Sequence, residues 1–334
     1  MVFNSAATLH QRRASTTVLD PHFAHAAASA SVAASNLVNC IDKTVGDAVT
    51  AGKRAARRLL KFEELPREWQ ENQYVRRGYR HFSTMRECFQ SIFMVHNETC
   101  NIWTHLLGFF FFLGLAIYAI PHHLTGSLLA DRLVVSFFFV AALKCLLCST
   151  LYHTLMCHSK PAVAKCAATF DYVGIGLLIT ASLLTKIYYG FYCEDSTRNF
   201  YMGLTAILGM STLVFPFFKF FDTHKYRPFR IFLFISLAGL GGLVPLAHMA
   251  SIRGWAPTFQ FLAPLLWSVI AYIVGVIFYG HRFPEKFWPG LFDYPGLTSH
   301  AIWHVFVMLG IFYHYLATLH FHRLRFDYGC AASI

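Results

Sequence analysis

RLVVSFFFVAALKCLLCSTLYHTLM, residues 132–156, carries only two fixed charges, Arg132 and Lys144. An α-helix rises 1.5 Å per residue, so about twenty such residues cross the roughly 30 Å of hydrocarbon in a bilayer. Soluble core helices rarely show so long an apolar stretch. Six more runs of this kind lie near 103–121, 168–190, 199–218, 230–250, 258–279 and 298–318. In lipid every backbone N–H and C=O needs a partner inside the protein, which makes these runs helices. Pro121, Pro161, Pro228, Pro257 and Pro295 sit in the breaks or at their edges, as helix-terminating residues should. The sequence therefore predicts an all-α polytopic membrane protein with seven transmembrane helices.

Composition agrees. Hydrophobic residues make up 56% of the chain and charged residues 13%, with 34 phenylalanines, whereas soluble domains carry roughly 25% charged residues. The net charge of +11 does not point to nucleic acid. Much of the positive charge precedes the first apolar run, in Lys53, Arg54, Arg57, Arg58, Lys61, Arg67, Arg76, Arg77, Arg80 and Arg86. Basic residues flanking spans set topology and meet anionic headgroups. The nine cysteines do not read as a disulfide framework. Cys145-x-x-Cys148 lies within a span and reads as small packing thiols.

Residues 1–70 read as a disordered or amphipathic N-terminal region, with no apolar core in 1–35 long enough for a secretory signal. Within it, DKTVGDAVTAGKRAARRLLKF (42–62) is either a basic amphipathic helix on anionic lipid or a solvated charge run. Residues 71–102 form a juxtamembrane segment with a short surface helix over 83–97. Residues 103–320 are the transmembrane domain and 321–334 a short extracytoplasmic tail. Lys160, Lys165, Lys219, Lys225, Arg227, Arg230, Arg282 and Lys286 share the side of the basic N-terminus. The positive-inside rule places that side in the cytosol and the C-terminus outside, the reverse of a G-protein-coupled receptor. The seventh run also lacks a lysine for a retinal Schiff base. The sequon Asn97-Glu98-Thr99 falls on the cytosolic side and is expected to stay unused. Cys193 and Cys330 both fall outside, where a disulfide is permitted though not required.

Ionisable residues inside spans are costly and mark function. His153 lies near the end of the second run with Ser149 one turn before it, Asp171 near the start of the third, and His300 and His304 near the start of the seventh. The alternating directions of the spans bring all of them to one depth near the cytosolic face. Positions i and i+4 share a helix face, so His300 and His304 can point at one ion with His153 as third ligand. Three imidazoles with an open fourth position suit catalytic Zn2+. Asp171 can serve as general base and Ser149 as hydrogen-bond donor. His158, His314, His320 and His322 read as loop or interfacial residues. Lys144, mid-span, either faces a polar cavity or snorkels.

The blocks SIFMVHNETCNIWTHLLGFF (91–110), CSTLYHTLMCHS (148–159), FDYVGIGLLI (170–179), FPEKFWPGLFD (283–293) and SHAIWH (299–304) resemble the progestin and adipoQ receptor family, related to haemolysin III, and most closely its adiponectin-receptor branch. The likeness runs from about Asn72 to the C-terminus. It implies seven helices with a cytosolic N-terminus and zinc on His153, His300 and His304, with Asp171 and Ser149 beside it. It also implies a receptor in the plasma membrane or an endomembrane (Golgi or ER), in contact with membrane lipids. The branch's ceramide-hydrolysing activity and an extracellular protein or steroid ligand follow by resemblance alone. The tail FDYGCAASI is short for the adiponectin-receptor branch, and Asn72–Val75 and Gly78–Arg80 also resemble a branch that tethers a signalling kinase at the Golgi. A non-catalytic receptor or tether with structural zinc is therefore the alternative.

Overall fold

The computed structural model describes residues 59–221 and 224–331. The Ala/Ser/His-rich N-terminus and nearly all of the 42–62 stretch lie outside the described residues. Among the described residues there is no β-strand, only isolated bridges at Leu60–Tyr79 and Ser83–His158. A short helix α1 (Met85–Gln90) precedes the spans and runs into a 3-10 turn over Ser91–Phe93. It begins with a capping box: the Glu87 backbone N–H donates to Thr84 Oγ1, and the Thr84 N–H donates to Glu87 Oε2, two orphan donors satisfied at once.

Among the described residues, seven helices are long and apolar enough to cross a membrane. They are α2 (Thr99–His123), α3 (Leu129–Leu155), α4 (Pro161–Gly190), α5 (Asp195–Val214), a composite of α6 (Arg227–Ala238) and α7 (Val244–Arg253), α8 (Trp255–His281) and α9 (Ser299–Arg323). Several start earlier than hydropathy predicts. Helix α4 opens at Pro161 rather than near 168, because proline suits the first helical position and the following polar turn continues the helix without being apolar.

Consecutive spans pack side by side. Helix α9 returns to touch α2, α3 and α4 as well as α8, and α4 touches α3, α5, α6 and α9. These two helices occupy the middle of the bundle. Small residues permit the close approaches, as lipid-embedded interfaces require. Gly174 of α4 lies so near α3 that a Cβ there would sit 2.9 Å from Cys145 Cα. Gly176 and Gly209 face Thr212 and Thr180 reciprocally across α4 and α5.

The fifth span departs from a plain helix. Gly239–Leu243 form a π-turn between α6 and α7. Lys186, buried in α4, donates from Nζ to the Gly242 carbonyl at 2.6 Å. Farther along the same end of the bundle, Cys193 and Cys330 are joined as a disulfide. Buried Arg253 there pairs with Glu194 and donates to the Gly329 carbonyl at 3.1 Å.

The opposite end is closed by the juxtamembrane segment and the long α8–α9 connection. Gly290 N–H donates to Tyr74 O, Cys100 N–H to Pro295 O, and Arg76 N–H to Asp293 Oδ2. Gly296 has φ +88° and lies against the Asn97 backbone, where a side chain has no room. Asn97 itself is buried.

The Gly174 contact generates a test. We predict that Gly174→Ala costs about 1–3 kcal/mol, the usual range for overpacking, because the clashing atom is backbone. Gly203 on α5 faces open space, so Gly203→Ala should leave the melting temperature in detergent unchanged or raised. A Gly174→Ala protein that melts at or above wild type would contradict this packing.

Candidate metal centre

His153 lies on the last turn of α3, and His300 and His304 on the first turns of α9. One ligand nitrogen from each lies within 4.8 Å of the other two. His153 and His304 are buried and His300 is half-buried. His153 Nε2 and His300 Nε2 are 3.2 Å apart. Two nitrogens on a tetrahedral ion at about 2.0–2.1 Å would stand about 3.3 Å apart, so this donor pair fits a metal.

The other ring nitrogens are held from behind. His153 Nδ1–H donates to Glu98 Oε2 at 2.8 Å. His304 Nδ1 lies 3.1 Å from the Asn101 carbonyl and 3.2 Å from Thr104 Oγ1. Both arrangements leave Nε2 as the free lone pair, the outer-sphere pattern that fixes tautomer and aim in metal-binding imidazoles. Glu98 also accepts from Asn101 Nδ2 at 2.6 Å. Burial alone would raise its pKa, but the bond to His153 and the nearby Asn101 and Arg80 outweigh it and hold Glu98 at about 2. Glu98 is thus a carboxylate throughout the physiological range.

Further groups fix the helix ends that carry these rings. Arg80, itself buried, donates to the His153 carbonyl at 2.5 Å, the Thr154 carbonyl at 3.0 Å and Ser91 Oγ at 2.7 Å. It therefore satisfies carbonyls that the end of α3 leaves open. Glu285, fully buried, accepts from Ser299 N–H at 2.7 Å and from Asn72 Nδ2 at 3.2 Å. A carboxylate there suits the positive end of α9. His96 donates Nε2–H to the Ser91 carbonyl and accepts the Glu98 N–H on Nδ1. Burial, reinforced by Arg80, keeps it neutral, with its pKa lowered to about 4.

Three polar atoms beside the histidines have no partner among the described residues: Asn101 Oδ1 and both ring nitrogens of buried His105. The His105 ring stacks on His304, centroids 3.7 Å apart and planes 10° apart. These atoms can hydrogen-bond a polar group of a bound molecule.

Of the residues singled out in the sequence, the three histidines come together. Ser149 is buried one turn before His153. Asp171 is half-buried within electrostatic range of His153 and Lys144, and forms no hydrogen bond or ion pair among the described residues. The Lys144 ammonium is enclosed in the bundle without a hydrogen bond, so it does not snorkel. Cys145 and Cys148 are free thiols. Sequence reasoning missed Glu98, Asn101 and His105. Their spacing of i, i+3 and i+7 at the start of an apolar run was the available signal, since it puts all three on one helix face.

A family model described as haemolysin-III related matches residues 93–315. The chain is 40% identical over 282 residues to an uncharacterized protein of Schizosaccharomyces pombe, covering 84% of this chain and 63% of that one. It is 37% identical over 265 residues to the adiponectin receptor protein of Drosophila melanogaster, covering 78% and 59%. It is 37% identical over 284 residues to heptahelical transmembrane protein 1 of Arabidopsis thaliana, covering 82% and 84%. The chain thus spans less than two thirds of the length of the yeast and fly proteins it matches.

The Glu98 contact yields a prediction about metal retention. Glu98→Gln should keep the fold and weaken divalent-metal affinity about 10–100-fold, the usual loss when an outer partner of a histidine ligand is removed. Chelator competition on purified protein measures it, and an unchanged affinity would remove Glu98 from the site.

Proposed function

Because the chain belongs to the haemolysin-III-related family of progestin and adipoQ receptors, we propose that it is an adiponectin-receptor-like receptor that binds zinc on His153, His300 and His304 and hydrolyses ceramide-like lipid amides. The observation that carries this reading is the convergence of three imidazoles, two of which, His153 and His304, already have their rear nitrogens tied to Glu98 and Asn101. Zinc held there supplies Lewis acidity toward an amide carbonyl.

The chain's own groups then divide the remaining work. Glu98 keeps the proton of His153 on Nδ1, and the Asn101 carbonyl does the same for His304. Asp171, whose carboxylate has no competing hydrogen bond, takes the proton of an attacking water as general base. Ser149, His105 and Asn101 offer hydrogen bonds to the polar part of the lipid. The juxtamembrane segment and the 282–298 connection cover the site from the polar end, so an acyl chain enters sideways from the bilayer. On the distribution of lysine and arginine we read this end as cytosolic, in a plasma membrane or endomembrane. An extracellular protein or steroid ligand would act on the opposite face.

A second reading is a non-catalytic receptor or tether in which zinc only pins α3 to α9. The hydrogen bonds that fix His153 and His304 from behind serve a purely structural ion equally well and are the observation behind it. Metal analysis of the purified full chain separates site from no site: stoichiometric zinc is expected in wild type and none in the triple variant His153→Ala, His300→Ala, His304→Ala. Fatty-acid release from ceramide separates the two readings. We expect Asp171→Asn to keep its zinc and lose about 10²–10⁴-fold in release, and His304→Ala to lose release altogether. Zinc with no release in wild type leaves the structural reading standing, and release that survives His304→Ala rejects the hydrolase site.

A further inference from the structure

One pair of nucleophilic side chains lies outside the metal centre and has no part in the proposed chemistry. Cys88 on α1 and Cys157, just beyond α3, have their sulfurs 3.6 Å apart. Both are buried, Cys88 fully and Cys157 6% exposed, and neither is disulfide-bonded. A disulfide needs about 2.05 Å between sulfurs, so closure asks for a contraction of about 1.5 Å. A rigid frame on both sides holds the two thiols face to face. The Ser83 N–H donates to the Cys157 carbonyl at 2.9 Å, and the Ser159 N–H donates to the Ser83 carbonyl at 2.8 Å. Arg80 bridges Ser91 Oγ to the His153 and Thr154 carbonyls, and Ser91 Oγ donates to the Cys88 carbonyl at 2.6 Å.

From this juxtaposition we infer that Cys88 and Cys157 are an oxidation site, a dithiol that a small hydroperoxide converts reversibly into a disulfide bond between α1 and the end of α3. Cys157 is the attacking sulfur. The Cys88 hydrogen bond, helped by the Arg80 guanidinium, brings its thiol down to about 7 against the effect of burial. The same hydrogen bond, with burial, pushes Cys88 up. Such a split gives one thiolate and one thiol near neutral pH.

The step balances as follows. With hydrogen peroxide as the hydroperoxide, the Cys157 thiolate attacks one peroxide oxygen and the O–O bond breaks, leaving a sulfenic acid and a hydroxide that takes up a proton as water; an alkyl hydroperoxide leaves an alcohol instead. The Cys88 sulfur then attacks the sulfenic sulfur. An S–S bond forms, the S–O bond breaks, and the hydroxyl leaves with the Cys88 proton as a second water. Two thiols give up two electrons to one hydroperoxide, and any dithiol reductant reverses the change. The bond crosses the Arg80 node that holds the His153 carbonyl. It therefore ties the segment leading to Glu98 covalently to the helix that carries His153.

The test uses the full chain in detergent or nanodiscs, titrated with hydrogen peroxide, quenched with catalase and a maleimide, and read by peptide mass spectrometry. Exposed Cys166 reports that the oxidant has acted. We expect a Cys88–Cys157-linked peptide that disappears with dithiothreitol. In Cys88→Ser, dimedone should trap a sulfenic acid on Cys157. Cys88 and Cys157 recovered separately alkylated at a dose that fully oxidises Cys166 would overturn the assignment. A link that forms only after the chain is unfolded in dodecyl sulfate would overturn it too.

Discussion

A polar group buried without a partner costs about 1–3 kcal/mol in a protein and more in hydrocarbon, and that constraint organises the histidine end of this bundle. An imidazole presents two nitrogens of opposite character when neutral. His153 and His304 resolve this by giving one nitrogen to a fixed acceptor and turning the other toward a common point. The acceptor for His153 is a carboxylate, and it must in turn be held. Asn101 donates to it, and Arg80 stands near enough to favour its charge while capping the helix that bears the histidine. Satisfying one ring thus recruits residues from three separate parts of the chain.

The same constraint explains why the polar end is so heavily built. A seven-helix bundle needs only short loops, yet the 282–298 connection folds under the juxtamembrane segment through backbone hydrogen bonds and through Glu285 and Asp293. Glu285 binds the first residue of α9 and Asn72 together. The start of α9, which carries His300, is therefore positioned by residues outside the membrane as well as by its helical neighbours.

The spans are legible in the sequence because bilayer thickness sets a length and lipid forbids charge. The three histidines are legible because few ionisable residues survive inside the runs. The helix starts are less so, since turns such as Pro161–Ala167 are helical without being apolar. Arg80 and Glu98 are not legible as partners of His153 because their contacts cross more than fifty positions of chain. No local pattern encodes such a pairing. Glu98 was further obscured by its place inside a glycosylation sequon. The π-turn in the fifth span is also invisible to hydropathy, since its glycines and leucines read like any other apolar stretch.

That turn sets the rotational phase of its span. Among the described residues its buried positions are Leu233, Leu237, Gly241, Gly242, Pro245, Met249, Ala250 and Arg253. In an uninterrupted α-helix each residue turns about 100°, so the four-residue steps from Leu233 to Pro245 would drift about 120° away from the interface. The wider turn at Gly239–Leu243 takes up much of that drift. Leu237 and Arg253 can therefore both face the interior, one against its neighbours in the hydrocarbon and the other against Glu194 at the rim, and the lysine that seals the widened turn belongs to one of the two helices at the bundle's centre.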